Sequence, residues 1–106
     1  MIRSVLYLDP RGGDGEAIAD FYRRHQVLER ASGQEGCLGA ELQLPTGASR
    51  AVLVTALWQD EAAYQGWVDN PFRSANAEEL AELVEGFDSG VRGELYEIVV
   101  EAVPGS

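Results

Sequence analysis

Residues 52 to 76 read VLVTALWQDEAAYQGWVDNPFRSAN, and this stretch decides the fold. It begins with an apolar run ending on Trp58, the length of a strand rather than a helix. Asp60 follows, one residue ahead of a helical pattern that its carboxylate is placed to cap. Tyr64 and Trp67 lie three residues apart on that helix and so share a face. Asn70-Pro71 interrupts it, because proline lacks an N–H and pushes the residue before it out of the helical region. Proline also suits the first position of a new helix. That helix runs to about residue 85, with Phe72, Asn76, Leu80, Leu83, Val84 and Phe87 on one stripe. Both tryptophans of the chain fall within this stretch. Such a concentration builds either a core or the wall of a pocket.

Working outward, residues 2 to 8 form a strand with Ile2, Ser4, Leu6 and Leu8 on one face and Arg3, Val5 and Tyr7 on the other. A glycine-rich loop leads to Asp14, a helix N-cap. Residues 16 to 31 form one amphipathic helix, with Ile18, Phe21, Tyr22, His25 and Leu28 at helical spacing, and Gly33 stops it. Residues 37 to 44 are a second strand, and the turn at 45 to 49 folds it back as a hairpin onto residues 51 to 58. Residues 94 to 103 are the last strand. The order is β-α-β-β-α-β with its second helix broken. This predicts an α+β ferredoxin-like domain over residues 1–106, a four-stranded antiparallel sheet with helices on one face.

The strand at 51 to 58 is apolar on both faces, and Val5, Tyr7, Leu95, Val99 and Val103 add apolar surface opposite the helices. A face that greasy predicts a second copy packed on it, a homodimer through the sheet. The charge bounds other partners. With 18 acidic residues against 8 basic and a net charge of -10, the chain lacks the basic footprint of a nucleic-acid or anionic-membrane binder. No apolar run is long enough to span a bilayer, and the N-terminus does not read as a signal peptide. One cysteine, Cys37, cannot pair within the chain. These points predict a cytoplasmic protein.

Two stretches resemble a known family. Gln34-Glu35-Gly36-Cys37-Leu38-Gly39 is similar to the signature opening the second strand of the antibiotic biosynthesis monooxygenase family. Residues 54 to 72 resemble its pattern of a strand ending in tryptophan, then an acidic helix start, then tryptophan ahead of a proline. The resemblance implies a dimeric α+β barrel with a pocket between sheet and helices in each subunit. It also implies a cofactor-independent monooxygenase acting with dioxygen on a small aromatic molecule, a polyketide anthrone or a hydroquinone. A polyketide cyclase on the same fold, or a non-catalytic dimeric ligand-binding module, would satisfy the same residues. The family's haem-degrading branch relies on a first-strand asparagine, a tryptophan in the second helix and a histidine further on. Trp67 matches the tryptophan. Asn76 falls at or near the histidine, and the first strand has no asparagine, so haem degradation is not expected.

The candidate site residues follow. The lone histidine and cysteine cannot make a common zinc site, and no phosphate-cradling glycine motif follows a strand. No metal or cofactor is therefore expected. His25 is either a general base or a core-rim histidine bonded to backbone. Asn76 is an amide on an apolar stripe, so it fixes a substrate oxygen or bonds local backbone. Trp67, Tyr64 and Phe72 either pack the core or clamp a flat aromatic ring. Tyr7 and Tyr96 line a pocket or a dimer interface. Arg73 pairs with a substrate phenolate or with surface acids. Trp58 is assigned to the sheet and its dimer contact.

Overall fold

A computed structural model describes residues 1–105. The strands are β1 (Ile2–Leu8), β2 (Cys37–Gln43), β3 (Val52–Trp58) and β4 (Arg92–Glu97). The helices are α1 (Gly15–Arg24), α2 (Val27–Ser32), α3 (Glu61–Val68) and α4 (Ala77–Leu83), with short 3-10 turns at Arg11–Gly13, Pro71–Ser74 and Phe87–Ser89. The sheet has the order β2-β3-β1-β4, antiparallel throughout. This is the expected ferredoxin-like α+β architecture.

The register sets the two faces. Ile2, Ser4, Leu6 and Leu8 lie opposite Trp58, Ala56, Val54 and Val52. Because strand side chains alternate, these residues all point to the helix layer. Leu8, Ile18 and Val52 are 0% exposed there and Val84 is 1% exposed, in a cluster with Phe21 and Tyr22. A second cluster joins Trp58, Trp67, Ala31 and Ala56. The other face carries Arg3, Val5 and Tyr7 beside Leu57, Thr55 and Leu53. At its β4 side it is polar. Arg92 sits over the Tyr7 ring at 4.4 Å and pairs with Glu94, which also accepts a hydrogen bond from Tyr96.

Several local expectations hold for the predicted reasons. Asp14 accepts the Ala17 N–H and Asp60 the Ala63 N–H, each capping its helix. Gly36 of the signature stretch has a φ of +85°, and a Cβ there would meet the Ala63 Cβ at 2.5 Å. A side chain is therefore excluded twice, by backbone and by the close approach of α3. The Gly36 carbonyl accepts the Gln59 N–H at 2.8 Å, tying the start of β2 to the end of β3.

Four expectations are corrected. The helix predicted over 16–31 is two helices. Gln26 takes a left-handed φ of 51° and turns the chain, so that Val27, Leu28 and Ala31 meet the sheet along a new axis. The helix predicted to residue 85 begins as the Pro71–Ser74 turn and resumes only over α4. Val84 is already extended and bridges to Pro10. The strand predicted to 103 ends at Glu97. Its register with β1 ends at the Ile2–Glu97 pair, and the Ile98 N–H still reaches the Met1 carbonyl. Beyond that, Val99 and Val100 are bare, Val100 at 87% exposure. Finally, Trp58 does not belong to the outer face. The alternation of β3 buries it on the helix side, 1% exposed, with its indole N–H donating to Ser4 Oγ at 2.9 Å.

Candidate functional site

Between the two clusters, the helix layer stands off the sheet and leaves a cavity of about 250 Å³. Its floor is Ser4 and Leu6 of β1 and Val54, Ala56 and Trp58 of β3. Its walls are Phe21 and Tyr22 of α1, Val27, Leu28 and Ala31 of α2, and Tyr64 and Trp67 of α3. Phe72, Arg73 and Asn76 close it from the broken segment. A void this size beside ring faces suits a small flat molecule.

Local structure fixes these side chains. Trp58 and Tyr64 meet edge to face, ring centroids 5.7 Å apart. Asn70 accepts the Phe72 N–H at 2.9 Å and so sets the Pro71–Ser74 turn. That turn puts Phe72 under the Arg30 guanidinium, 3.9 Å from the ring centroid. The proline break thus has a purpose that helical periodicity hides: it swings Phe72, Arg73 and Asn76 toward the cavity mouth together.

The polar groups at the cavity are few and mostly unpartnered. Asn76 starts α4 without capping it, and its amide bonds no described residue. The Trp67 indole N–H also bonds none, although the residue is only 7% exposed. The Tyr22 hydroxyl likewise has no partner among the described residues. Gln43 Oε1, on the other face of the sheet, is the side-chain oxygen that is both sealed and unpaired. The open donors at the cavity therefore keep some access to the void. Burial pushes the Tyr22 phenol up to about 12, against a smaller opposing pull from the Arg73 charge. Among the described residues no carboxylate, imidazole or thiol lines the cavity, and Arg73 is the charged residue that does.

The predicted residues separate accordingly. Trp67, Tyr64, Phe72, Arg73 and Asn76 come together around one void. His25 does not line it. Its ring packs on Phe21 at 4.7 Å, and its Nε2 meets Glu79 Oε1 at 3.0 Å on the outside of the helix layer. The reason is the helix end. His25 is the C-cap of α1, so its side chain leaves the stripe that periodicity assigned to it. Glu79 joins α4 to α1 by also taking Arg24 at 2.6 Å. Tyr7 is on the opposite face of the sheet under Arg92 and lines no part of the cavity. Tyr22 and Ser4 are lining residues that the sequence did not single out. Each sits on an apolar stripe, and nothing in the sequence tells a paired hydroxyl from an open one.

Sheet order, one-sided helices and an aromatic-walled void define a class: ferredoxin-like α+β domains with a cavity between sheet and helices. The chain belongs to the antibiotic biosynthesis monooxygenase family, whose model matches residues 1–76. No curated protein matches it. Among solved structures, Rv0793 of Mycobacterium tuberculosis superposes with a TM-score of 0.75 at 13% identity, covering 96% of this chain and 98% of that one. The Nitrosomonas europaea protein NE2512, of unknown function, gives 0.70 at 23% identity over 99% and 95%. The haem-degrader MhuD of Mycobacterium tuberculosis, solved with two haems in its active site, gives 0.74 at 18% identity over 97% and 100%. At these identities the likeness is one of fold. No helix among the described residues is long and apolar enough to cross a membrane.

Proposed function

We propose that this chain is a cofactor-independent monooxygenase that oxidises a small phenolic substrate, of anthrone or hydroquinone type, with dioxygen. One observation carries the reading: an aromatic-walled cavity whose hydrogen-bonding groups, Asn76 and the Trp67 N–H, have no partner among the described residues. Donors left open at a cavity wall are matched when a ligand supplies the acceptor. Trp67, Tyr64 and Phe72 clamp the ring, and Arg73 with Asn76 favours the anion over the neutral phenol.

The chemistry follows from the substrate. An anthrone methylene gives a proton to solvent, because no lining side chain is a suitable base. The resulting carbanion passes its electrons to dioxygen one at a time, and a carbon–oxygen bond forms. The hydroperoxide then loses water as the new carbonyl closes. One oxygen atom enters the product and the other leaves as water. The chain's residues hold the anion and keep the ring fixed.

Dioxygen uptake by the purified protein with a panel of anthrones and hydroquinones tests this. Uptake above the spontaneous rate, reduced by Trp67→Phe and Asn76→Ala, is the expected result. No uptake with any of them refutes turnover. The lack of a lining base favours one second reading, a non-catalytic module binding the same aromatics, which predicts saturable binding with no oxygen consumed. Haem degradation is not favoured: of the side chains able to ligate its iron, the described lining holds only Tyr22 and Tyr64, and burial keeps the Tyr22 phenol protonated.

The working unit in this proposal is a homodimer through the outer sheet face. Val5, Leu53 and Leu57 and the bare Val99 and Val100 support it. Light scattering that reports a monomer at micromolar concentration would remove it.

A further inference from the structure

Tyr22 is the buried group that the proposed chemistry leaves unused. It stands where the aliphatic cluster meets the cavity, 6% exposed, on the third turn of α1. Its ring packs against Phe21 edge to face at 5.7 Å, which holds it in place. Its hydroxyl meets no hydrogen-bond partner among the described residues. A phenylalanine would fill the same space without the cost of desolvating a hydroxyl. An open, immobilised hydroxyl at a cavity wall therefore points to an acceptor that enters with the ligand. The acceptor's charge follows from its neighbours. Arg73 shares the lining, no carboxylate does, and Tyr64 is the other ionisable lining residue. Arg24, His25 and Glu79, which join α1 to α4, pair with one another and stay outside the cavity.

We infer that the Tyr22 hydroxyl and the Arg73 guanidinium form an anion subsite, which binds a phenolic ligand through its ionised oxygen and discriminates against the neutral ether. The inference rests on the cavity being the ligand site, as proposed above. It adds that the ligand is recognised as a phenolate and that Tyr22 supplies the specificity. Burial keeps the Tyr22 phenol protonated across the physiological range, so it donates and does not compete as a second anion. Arg73 supplies the charge that a hydroxyl alone cannot.

Para-nitrophenol tests this without turnover, because its ionisation is visible, with para-nitroanisole as the neutral isostere. In the full-length protein the bound nitrophenol should ionise at lower pH than the free dye, and the phenolate should bind more tightly than the anisole. Tyr22→Phe should weaken phenolate binding about tenfold, the effect of one hydrogen bond to a charged group. It should leave anisole binding unchanged and the thermal midpoint the same or higher. Arg73→Gln should return the bound dye's ionisation toward its free value. If Tyr22→Phe lowers the thermal midpoint, the hydroxyl has a structural partner and the inference falls. Equal loss of both ligands, or loss of neither, also overturns it. If neither ligand binds the wild-type protein, the cavity reading itself fails, which the other outcomes leave intact.

Discussion

The helix layer has two ends that differ in kind. At one end Leu8, Ile18, Val52 and Val84 are aliphatic and sealed. At the other, Trp58, Trp67, Tyr64 and Phe72 are aromatic, several carry polar handles, and they surround a void. Aliphatic side chains fill space to crystal-like density and ask nothing of a partner. Aromatic side chains with N–H or O–H groups leave shaped gaps and directional demands. The difference teaches where to look for function in this fold: at the end whose donors remain unmet. Tyr22 lies on the seam, in the sealed cluster by its ring and in the cavity by its lining position.

This division can be broken by experiment. Leu8→Ala should have the largest effect, about 3 kcal/mol of lost stability, the sum of transfer and cavity terms for a fully buried leucine. Urea unfolding measures it, and aromatic ligand affinity of the folded protein should stay put. A comparable affinity loss would mean that the sealed end also shapes the site. Trp67→Phe should do the converse. It removes the open indole N–H, so kcat/KM for the oxidised substrate should fall on the order of tenfold to a hundredfold, with about 1 kcal/mol lost in unfolding. A large stability loss with unchanged turnover would return Trp67 to the core.

Arg11 sharpens the sealed end. Its guanidinium donates to the carbonyls of Ala81, Glu82 and Val84, the unsatisfied C-terminal groups of α4. Arg11→Ala should cost about 1 kcal/mol, read by thermal or urea unfolding, and leave ligand binding alone. The smallest effect belongs to the α1–α4 clasp. Glu79 is held below the usual carboxylate range by the hydrogen bond from Arg24, then by that with His25. A carboxyl depressed on folding adds stability above its unfolded pKa and loses it as pH falls through its folded pKa. Glu79→Gln should therefore flatten the acid limb of the stability–pH curve, and salt should blunt the difference. An unchanged acid limb would show the clasp to be energetically silent.

The strand order, the two helix caps and the broken second helix were all legible in the sequence. Each rests on a local rule: alternation in IRSVLYL, Asp14 and Asp60 ahead of apolar periodicity, and proline after Asn70. The family signature was legible too, and the structure supplies its cause in the close approach of Gly36 to Ala63. The cavity lining was legible in part. Trp67, Tyr64, Phe72, Arg73 and Asn76 converge as a set because one helix face and one proline turn carry them. His25 and Tyr7 were misplaced for different reasons. A helix end released the histidine from its stripe. A tyrosine on a strand reads the same from either face until the register is known.

What the sequence determined by itself was the pattern of elements and their apolar faces, because periodicity and capping act over a few residues. What only the tertiary structure decided was which faces meet. Pairing β1 between β3 and β4 set the end of β4 at Glu97, and the left-handed turn at Gln26 aimed α2 at the sheet. The standing-off of helices from sheet then chose which donors would stay open. Whether the Tyr22 hydroxyl or the Trp67 N–H has a partner depends on residues far away in the chain, and no local rule encodes that.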